Sequence, residues 1–183
     1  MSDENGYIDG ELMTAVLTFA NAQEKVVYLT FDAGYDNGNV AKVLDVLHEE
    51  KVSGAFFVLA HLIEDNTDLV RRMIEEGHLV CNHTMKHRDM SRVTTQEEFE
   101  TELRALEQLF YEKTGNVMPK YYRPPQGIYS EENLKMAQEL GYRTVFWSLA
   151  YVDWNNDSQP TREEAFSKLL PRTHNGAVVL LHS

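Results

Sequence analysis

Apolar and polar positions fall in blocks along this chain, and the blocks read alternately as strand and helix. Residues 26–32 (VVYLTFD) form a β-branched and aromatic run, which predicts a buried strand whose tip carries a carboxylate. Asn37 or Asn39 then opens a helix through about Glu50, with Val40, Val43, Leu44 and Leu47 on one face. GAFFVLA (54–60) predicts a second buried strand. Residues 66–76 predict a helix stopped by Gly77, and HLVCNH (78–83) a third strand. A long amphipathic helix starts at Thr94 or Thr95, turns Leu103, Leu106, Leu109 and Phe110 inward, and stops at Gly115. Residues 120–123 form a short strand running into Pro124 and Pro125. A helix at 130–140, a strand at 143–149, a helix at 161–170 and a last strand at 177–182 complete the series. Residues 1–10 are polar and predict a poorly ordered start. Residues 11–22 pack either as a strand or as a short helix.

Strands alternating with helices predict an α/β fold with a parallel sheet, closed or open, and helices outside it. At 183 residues one domain is the simplest count. It is expected over 26–183, after an N-terminal extension over 1–25 that is partly disordered. The predicted strand ends collect the unusual polar residues, which is where barrels and open α/β sheets build their sites.

Composition narrows the partners. The net charge of −12, without a basic stripe, argues against nucleic acid and against adhesion to an anionic membrane. No run is long enough for a membrane span. A single cysteine, Cys81, excludes an intramolecular disulfide framework and reads as a small buried hydrophobe rather than a metal ligand. The acidic start MSDENGYIDGEL is not a signal peptide. The chain ends one residue past an apolar run, so it is expected to be a segment of a longer precursor. Apolar surface on the last strands would then self-associate or be covered by residues 11–22.

Five stretches carry candidate chemistry. Asp32 at a strand tip either caps a helix or takes a proton from a nucleophilic water. His83 and His87, spaced i, i+4 in NHTMKH, put two imidazoles on one face, as metal ligation requires, with Asn82 and Thr84 as supporting hydrogen-bond partners. In RPPQG the prolines remove two donors, so the Gln126 amide becomes a candidate oxyanion donor, and Arg123 is placed to pair with Asp32. Asp153–Trp154 suits a sugar site, the indole offering an apolar wall. His182 at the last strand end is a candidate general acid tuned by Asp153. His48, His61, His78 and His174 read as structural or surface residues.

In this order, the five stretches resemble the polysaccharide deacetylase family, in the form of the chitooligosaccharide-deacetylase homology domain. TFDAG is similar to the family's TFDDG, HTMKH to its HTxxH, RPPQG to RPPxG, VDW to the end of DxxDW, and LLH to its last motif. The resemblance implies a distorted, incomplete (β/α) barrel with parallel strands, its C-terminal helix missing from this chain. It implies metal-dependent removal of acetyl groups from a glycan. Asp32 would be the base, Arg123 its partner, His182 the acid tuned by Asp153, and His83 and His87 ligands of a weakly bound divalent ion such as zinc or cobalt. Trp154, Gln126, Pro125 and Tyr35 would then bind substrate. Two family aspartates are replaced, by Ala33 (a metal-ligand position) and Ala150, so Asp36 or Cys81 is a candidate to complete the metal shell. Ala33 and the SLAYVDW stretch resemble the branch that deacetylates N-acetylmuramic acid of peptidoglycan, which makes muramic δ-lactam in spore cortex. That branch implies an extracellular or cell-wall location. A non-catalytic glycan-binding module and a deacetylase of chitin- or xylan-type sugars are the alternatives.

Overall fold

Residues 16–17, 25–155 and 157–183 of the 183 are described by a computed structural model. The predicted alternation is present. The strands are β1 (Val16–Leu17), β2 (Val27–Ala33), β3 (Ala55–Val58), β4 (Leu79–Asn82), β5 (Tyr121–Tyr122), β6 (Arg143–Val145), β7 (Leu149–Ala150) and β8 (Ala177–His182). The helices are α1 (Val40–Glu50), α2 (Ala60–Asp65), α3 (Thr67–Glu75), α4 (Gln96–Thr114), α5 (Glu131–Glu139) and α6 (Arg162–Leu169).

The strands form one sheet in the order β1-β6-β5-β4-β3-β2-β8-β7, every neighbouring pair parallel. The sheet curls. Val145 on β6 and Val178 on β8 are separated by four strands in that order, yet they pack together with Phe57 and Cys81 in one interior cluster. On the outer face Phe31, Ala33 and Val58 pack against Val40, Leu44, Val70 and Leu106 of the helices. Each fully buried side chain of this kind contributes roughly 1.5–3 kcal/mol. The molecule is a distorted, incomplete (β/α) barrel.

Several local expectations are adjusted. Asn39 holds the N-cap position of α1, as expected, but its side chain makes no capping hydrogen bond. The Asp36 carboxylate supplies the side-chain acceptor there, taking the Gly38 and Val40 N–H groups at 2.8 and 3.3 Å. Asp36 is thus occupied at a helix start, where a negative charge also complements the helix dipole. Thr95 and Ser130 cap α4 and α5 through their side chains, and Gly115 ends α4 in the left-handed conformation. Ala60, expected at the end of the second strand, instead opens α2 (Ala60–Asp65), and β3 stops at Val58. Of residues 11–22, Val16–Leu17 form a strand beside β6; the rest, with residues 1–10, lie outside the described residues.

The largest correction concerns 143–149. This stretch is two strands, β6 and β7, on the two far arms of the sheet. The break has a visible cause. The Arg123 side chain donates to the Val145 and Phe146 carbonyls at 3.1 and 3.3 Å, and Ser148 N–H turns to Val178 O at 2.9 Å. Backbone groups that a continuous strand would spend on a neighbour are spent on a guanidinium and on the opposite arm.

Candidate active site

The register of the sheet builds the site. Asp32 on β2 lies directly opposite His182 on β8, so the parallel pairing sets the two side by side at the strand tips. Phe31 and Ala33 turn toward the helices, and Thr30 and Asp32 turn inward to Arg123.

Arg123 is fully buried. It donates to Asp32 Oδ1 at 2.7 Å and to Thr30 Oγ1 at 2.8 Å, besides the two carbonyls that break the strand, and its guanidinium lies 4.1 Å from the Phe57 ring centroid. Asp32 therefore does not cap a helix. Burial pushes its carboxyl up, but its neighbours His83 and Arg123, the latter through its positive charge and its hydrogen bond, outweigh it and hold the group below its ordinary value. Asp32 is ionised at neutral pH and able to take a proton.

His83 follows β4 and opens a turn that is costly to form. Thr84 and His87 both have positive φ, 76° and 53°, which a β-branched residue rarely accepts. Side chains hold the turn together. Asn82 Oδ1 accepts the Thr84 N–H at 2.9 Å, Thr84 Oγ1 accepts the His87 N–H at 2.9 Å, and Glu102 Oε1, from α4, accepts the Lys86 N–H at 2.8 Å. Asn82 is held in turn by donating to Leu103 O and Tyr142 Oη, each at 3.0 Å. The turn brings the His83 and His87 rings to 5.0 Å between centroids.

His83 Nδ1 lies 2.9 Å from Arg123 O, a carbonyl, so this nitrogen carries the proton and Nε2 is left with its lone pair. That lone pair faces Asp32 Oδ2 at 3.5 Å. Burial lowers the His83 pKa, which keeps the ring neutral. An electron-rich nitrogen opposite a carboxylate oxygen, with a second imidazole alongside, is a donor set that fits a divalent cation. It is a sparse one. Among the described residues no group of three or more His, Cys, Asp and Glu side chains is arranged to hold a metal ion. Ala33 is fully buried in the outer apolar cluster, Asp36 is occupied at the start of α1, and the Cys81 thiol is sealed in the interior, where burial pushes its pKa up to about 12.

On the other side of Asp32, His182 Nδ1 donates to Asp153 Oδ1 at 2.6 Å, and the His182 N–H donates to Asp153 Oδ2 at 2.9 Å. This two-point contact orients the ring and leaves Nε2 free. The exposed Trp154 ring lies edge-on to His182, 5.3 Å between centroids. Gln126 has a positive φ of 59°. Gly127 and Ile128 return their N–H groups to Pro124 and Pro125, which leaves the Gln126 N–H outside the turn's own ladder. A Cβ on Gly127 would come within 2.6 Å of Trp147, so only glycine lets this loop lie on the indole.

Two adjoining concavities, about 890 and 680 Å³, share Asp32, Tyr35, Trp154 and His182 and form one groove across the strand tips. The larger arm also holds His83, His87 and Gln126. Pro125, within this loop, is buried and does not line the groove. Trp147, His61 and Lys86 do line it, and none of them is among the candidate site residues of the sequence. His61, assigned there as structural or surface, stacks on Tyr35 at 4.9 Å. His78 is structural: its Nδ1 accepts the Gly54 N–H at 3.1 Å.

A curled parallel barrel with a carboxylate, an oriented histidine and an imidazole pair at its strand tips defines the class of protein. The chain belongs to the polysaccharide deacetylase family, whose profile matches residues 20–145. It is 43% identical over 163 residues to a peptidoglycan-N-acetylmuramic acid deacetylase, PdaA, of Bacillus subtilis, covering 89% of this chain and 62% of that protein's length. A chitooligosaccharide deacetylase of a Bradyrhizobium species is 36% identical over 85% of this chain and 69% of its own length. The solved structure of Bacillus subtilis PdaA, a family 4 carbohydrate esterase, superposes with a TM-score of 0.88 at 40% identity over 94% of this chain and 74% of that one. No helix among the described residues is long and apolar enough to cross a membrane.

Proposed function

We propose that the protein hydrolyses N-acetyl groups on a polysaccharide, acting on N-acetylmuramic acid residues of peptidoglycan at the cell wall. The observation that carries this reading is the pairing of Asp32 with His182 across β2 and β8, each held by its own buried partner, Arg123 and Asp153. A module that only binds glycan needs neither an ionised base nor an oriented acid. The muramate substrate rests on the likeness to the Bacillus subtilis enzyme.

In this reading Asp32 takes a proton from the attacking water, and Arg123 keeps Asp32 ionised. His182 Nε2 delivers a proton to the departing amine while Asp153 stabilises the charged ring. The Gln126 N–H meets the oxyanion, and Trp154 and Tyr35 give the sugar apolar walls. His83 and His87 would hold a divalent ion, which when bound supplies Lewis acidity to the acetyl carbonyl.

The test is mass spectrometry of peptidoglycan fragments after incubation with the protein. Loss of acetyl groups from muramate residues is the expected result. Binding of the glycan without acetate release would identify a binding module instead, and release from chitin- or xylan-type oligomers alone would reassign the substrate.

The metal reading predicts weak, exchangeable binding when zinc or cobalt is titrated calorimetrically into metal-free protein. Loss of one ligand should weaken affinity at least as much as a supporting-shell change, roughly 10- to 100-fold. Unchanged affinity in His83→Ala/His87→Ala would remove the metal site. Because Ala33 is fully buried among apolar side chains, Ala33→Asp is expected to lower the melting temperature. Because the side chain at 33 turns toward the helices, added zinc is expected to raise the melting temperature of that variant no more than it raises that of the wild type, and a larger rise would show that a carboxylate there reaches the ion. An equal response in both would mean that a carboxylate at position 33 does not reach the ion.

A further inference from the structure

Lys86 stands between the two metal-candidate histidines, one residue before His87. Its backbone is pinned, since its N–H donates to the buried carboxylate of Glu102 at 2.8 Å, while its side chain is exposed along the groove. Among the residues lining the larger arm it is the single Lys or Arg. The carboxylates that line the groove, Asp32 and Asp153, are already committed to Arg123 and His182. Among the described residues the Lys86 ammonium has no carboxylate within ion-pair distance. The other basic residue at the groove, Lys42, lies in the far arm and donates to Asn39 Oδ1 at 3.2 Å. In a chain of net charge −12, a free, fixed-backbone cation beside the reacting centre is an unusual placement.

The chemistry of the two candidate sugars gives it a use. N-acetylmuramate differs from N-acetylglucosamine by a lactyl ether on O3, which ends in a carboxylate. The acetamide is on C2, the adjacent ring carbon. A pose that places the acetyl group between Asp32 and the histidines with C3 toward the 83–87 turn sets the lactyl carboxylate against the wall on which Lys86 lies. N-acetylglucosamine has only a hydroxyl there. We propose that Lys86 is a specificity-determining residue that binds the free lactyl carboxylate of an N-acetylmuramate residue seated at Asp32 and His182. This rests on the deacetylase reading above for the pose, although the carboxylate contact itself can be measured without turnover. An ammonium–carboxylate contact on a partly exposed wall is a charge-assisted hydrogen bond, weakened by salt.

Two measurements test it. The first is the ratio of kcat/KM for a peptide-free muramate-containing tetrasaccharide to that for chitotetraose. Lys86→Ala is expected to lower this ratio about tenfold, mainly through KM for the muramate oligomer. Lys86→Arg should restore most of it, and Lys86→Glu should lower it further. A ratio unchanged in Lys86→Ala would overturn the proposal. The second is calorimetric binding of N-acetylmuramic acid against its lactyl methyl ester, which removes the charge and keeps the shape. The wild type should prefer the free acid by about tenfold at low salt, less at high salt, and Lys86→Ala should lose the preference. A preference that survives Lys86→Ala would assign the carboxylate to another group and overturn the proposal. Absence of any acetate release alongside a Lys86-dependent preference would reject the deacetylase reading and leave this contact standing. Acetate release without that preference would do the reverse.

Discussion

Asp32→Asn is expected to lower acetate release from the muramate substrate by roughly 10²- to 10⁴-fold, the usual worth of a positioned acid or base. The amide keeps an oxygen for Arg123, which donates to Asp32 Oδ1 at 2.7 Å, but it cannot take the proton of the attacking water. Stability should fall less than activity. The guanidinium retains Thr30 Oγ1 and the Val145 and Phe146 carbonyls as acceptors, so it is not left bare. His182→Ala removes the proton donor on the neighbouring strand and should lose activity on the same scale, with little effect on folding because His182 is at the groove surface. The measurement is the initial rate of acetate release, with thermal melting as the control on folding. Near-normal turnover in either variant would reject the assigned roles.

Arg123→Ala should produce the largest loss of stability. Arg123 is fully buried, makes hydrogen bonds to four groups and packs on Phe57. Removing one partner of a buried pair leaves the other charge uncompensated, which costs about 3–5 kcal/mol. For a chain of this size that is a fall of roughly 6–20 °C in melting temperature. The pH dependence should change with it. In the wild type Asp32 is held below its ordinary value, so its contribution to stability is full at neutral pH and is lost as pH falls through the folded-state value. Without Arg123 the largest opposing influence, burial, acts with less resistance and raises the Asp32 pKa. The acid limb of the pH–rate profile should therefore move to higher pH in whatever fraction of the variant remains folded. A melting temperature within about 2 °C of wild type, less than the 1 kcal/mol equivalent for this size, would show that the pair contributes little. An unshifted acid limb would separate Arg123 from the tuning of the base.

The strands and helices around this site were largely legible from pattern. In β2 the buried positions Thr30 and Phe31 precede a carboxylate at the tip, and α4 has its cap, its apolar stripe and its glycine stop in the expected places. Each of these signals lies within a few residues of the element it describes. The reading failed where a backbone group is satisfied from far away. The run 143–149 reads as one strand, and nothing within it says that Arg123, about twenty residues earlier, will take two of its carbonyls and split it between the two arms of the sheet. Lys86 is illegible in the sequence for a related reason. An isolated lysine in a polar turn has no distinguishing pattern until the groove closes around it and the nearby charges are seen to be paired already.

The amino-acid sequence by itself determined the alternation of strand and helix, the polar residues at strand tips, and the spacing of His83 and His87, because propensity, periodicity and motif spacing are local properties of the chain. Only the tertiary structure decided that Asp32 and His182 are opposite one another in register, that Arg123 is buried between Asp32 and the split strand, and that Ala33 faces the helices. Those facts depend on which strands pair, with what register and how far the sheet curls, and these are settled by contacts between residues as much as 150 positions apart, as Asp32 and His182 are.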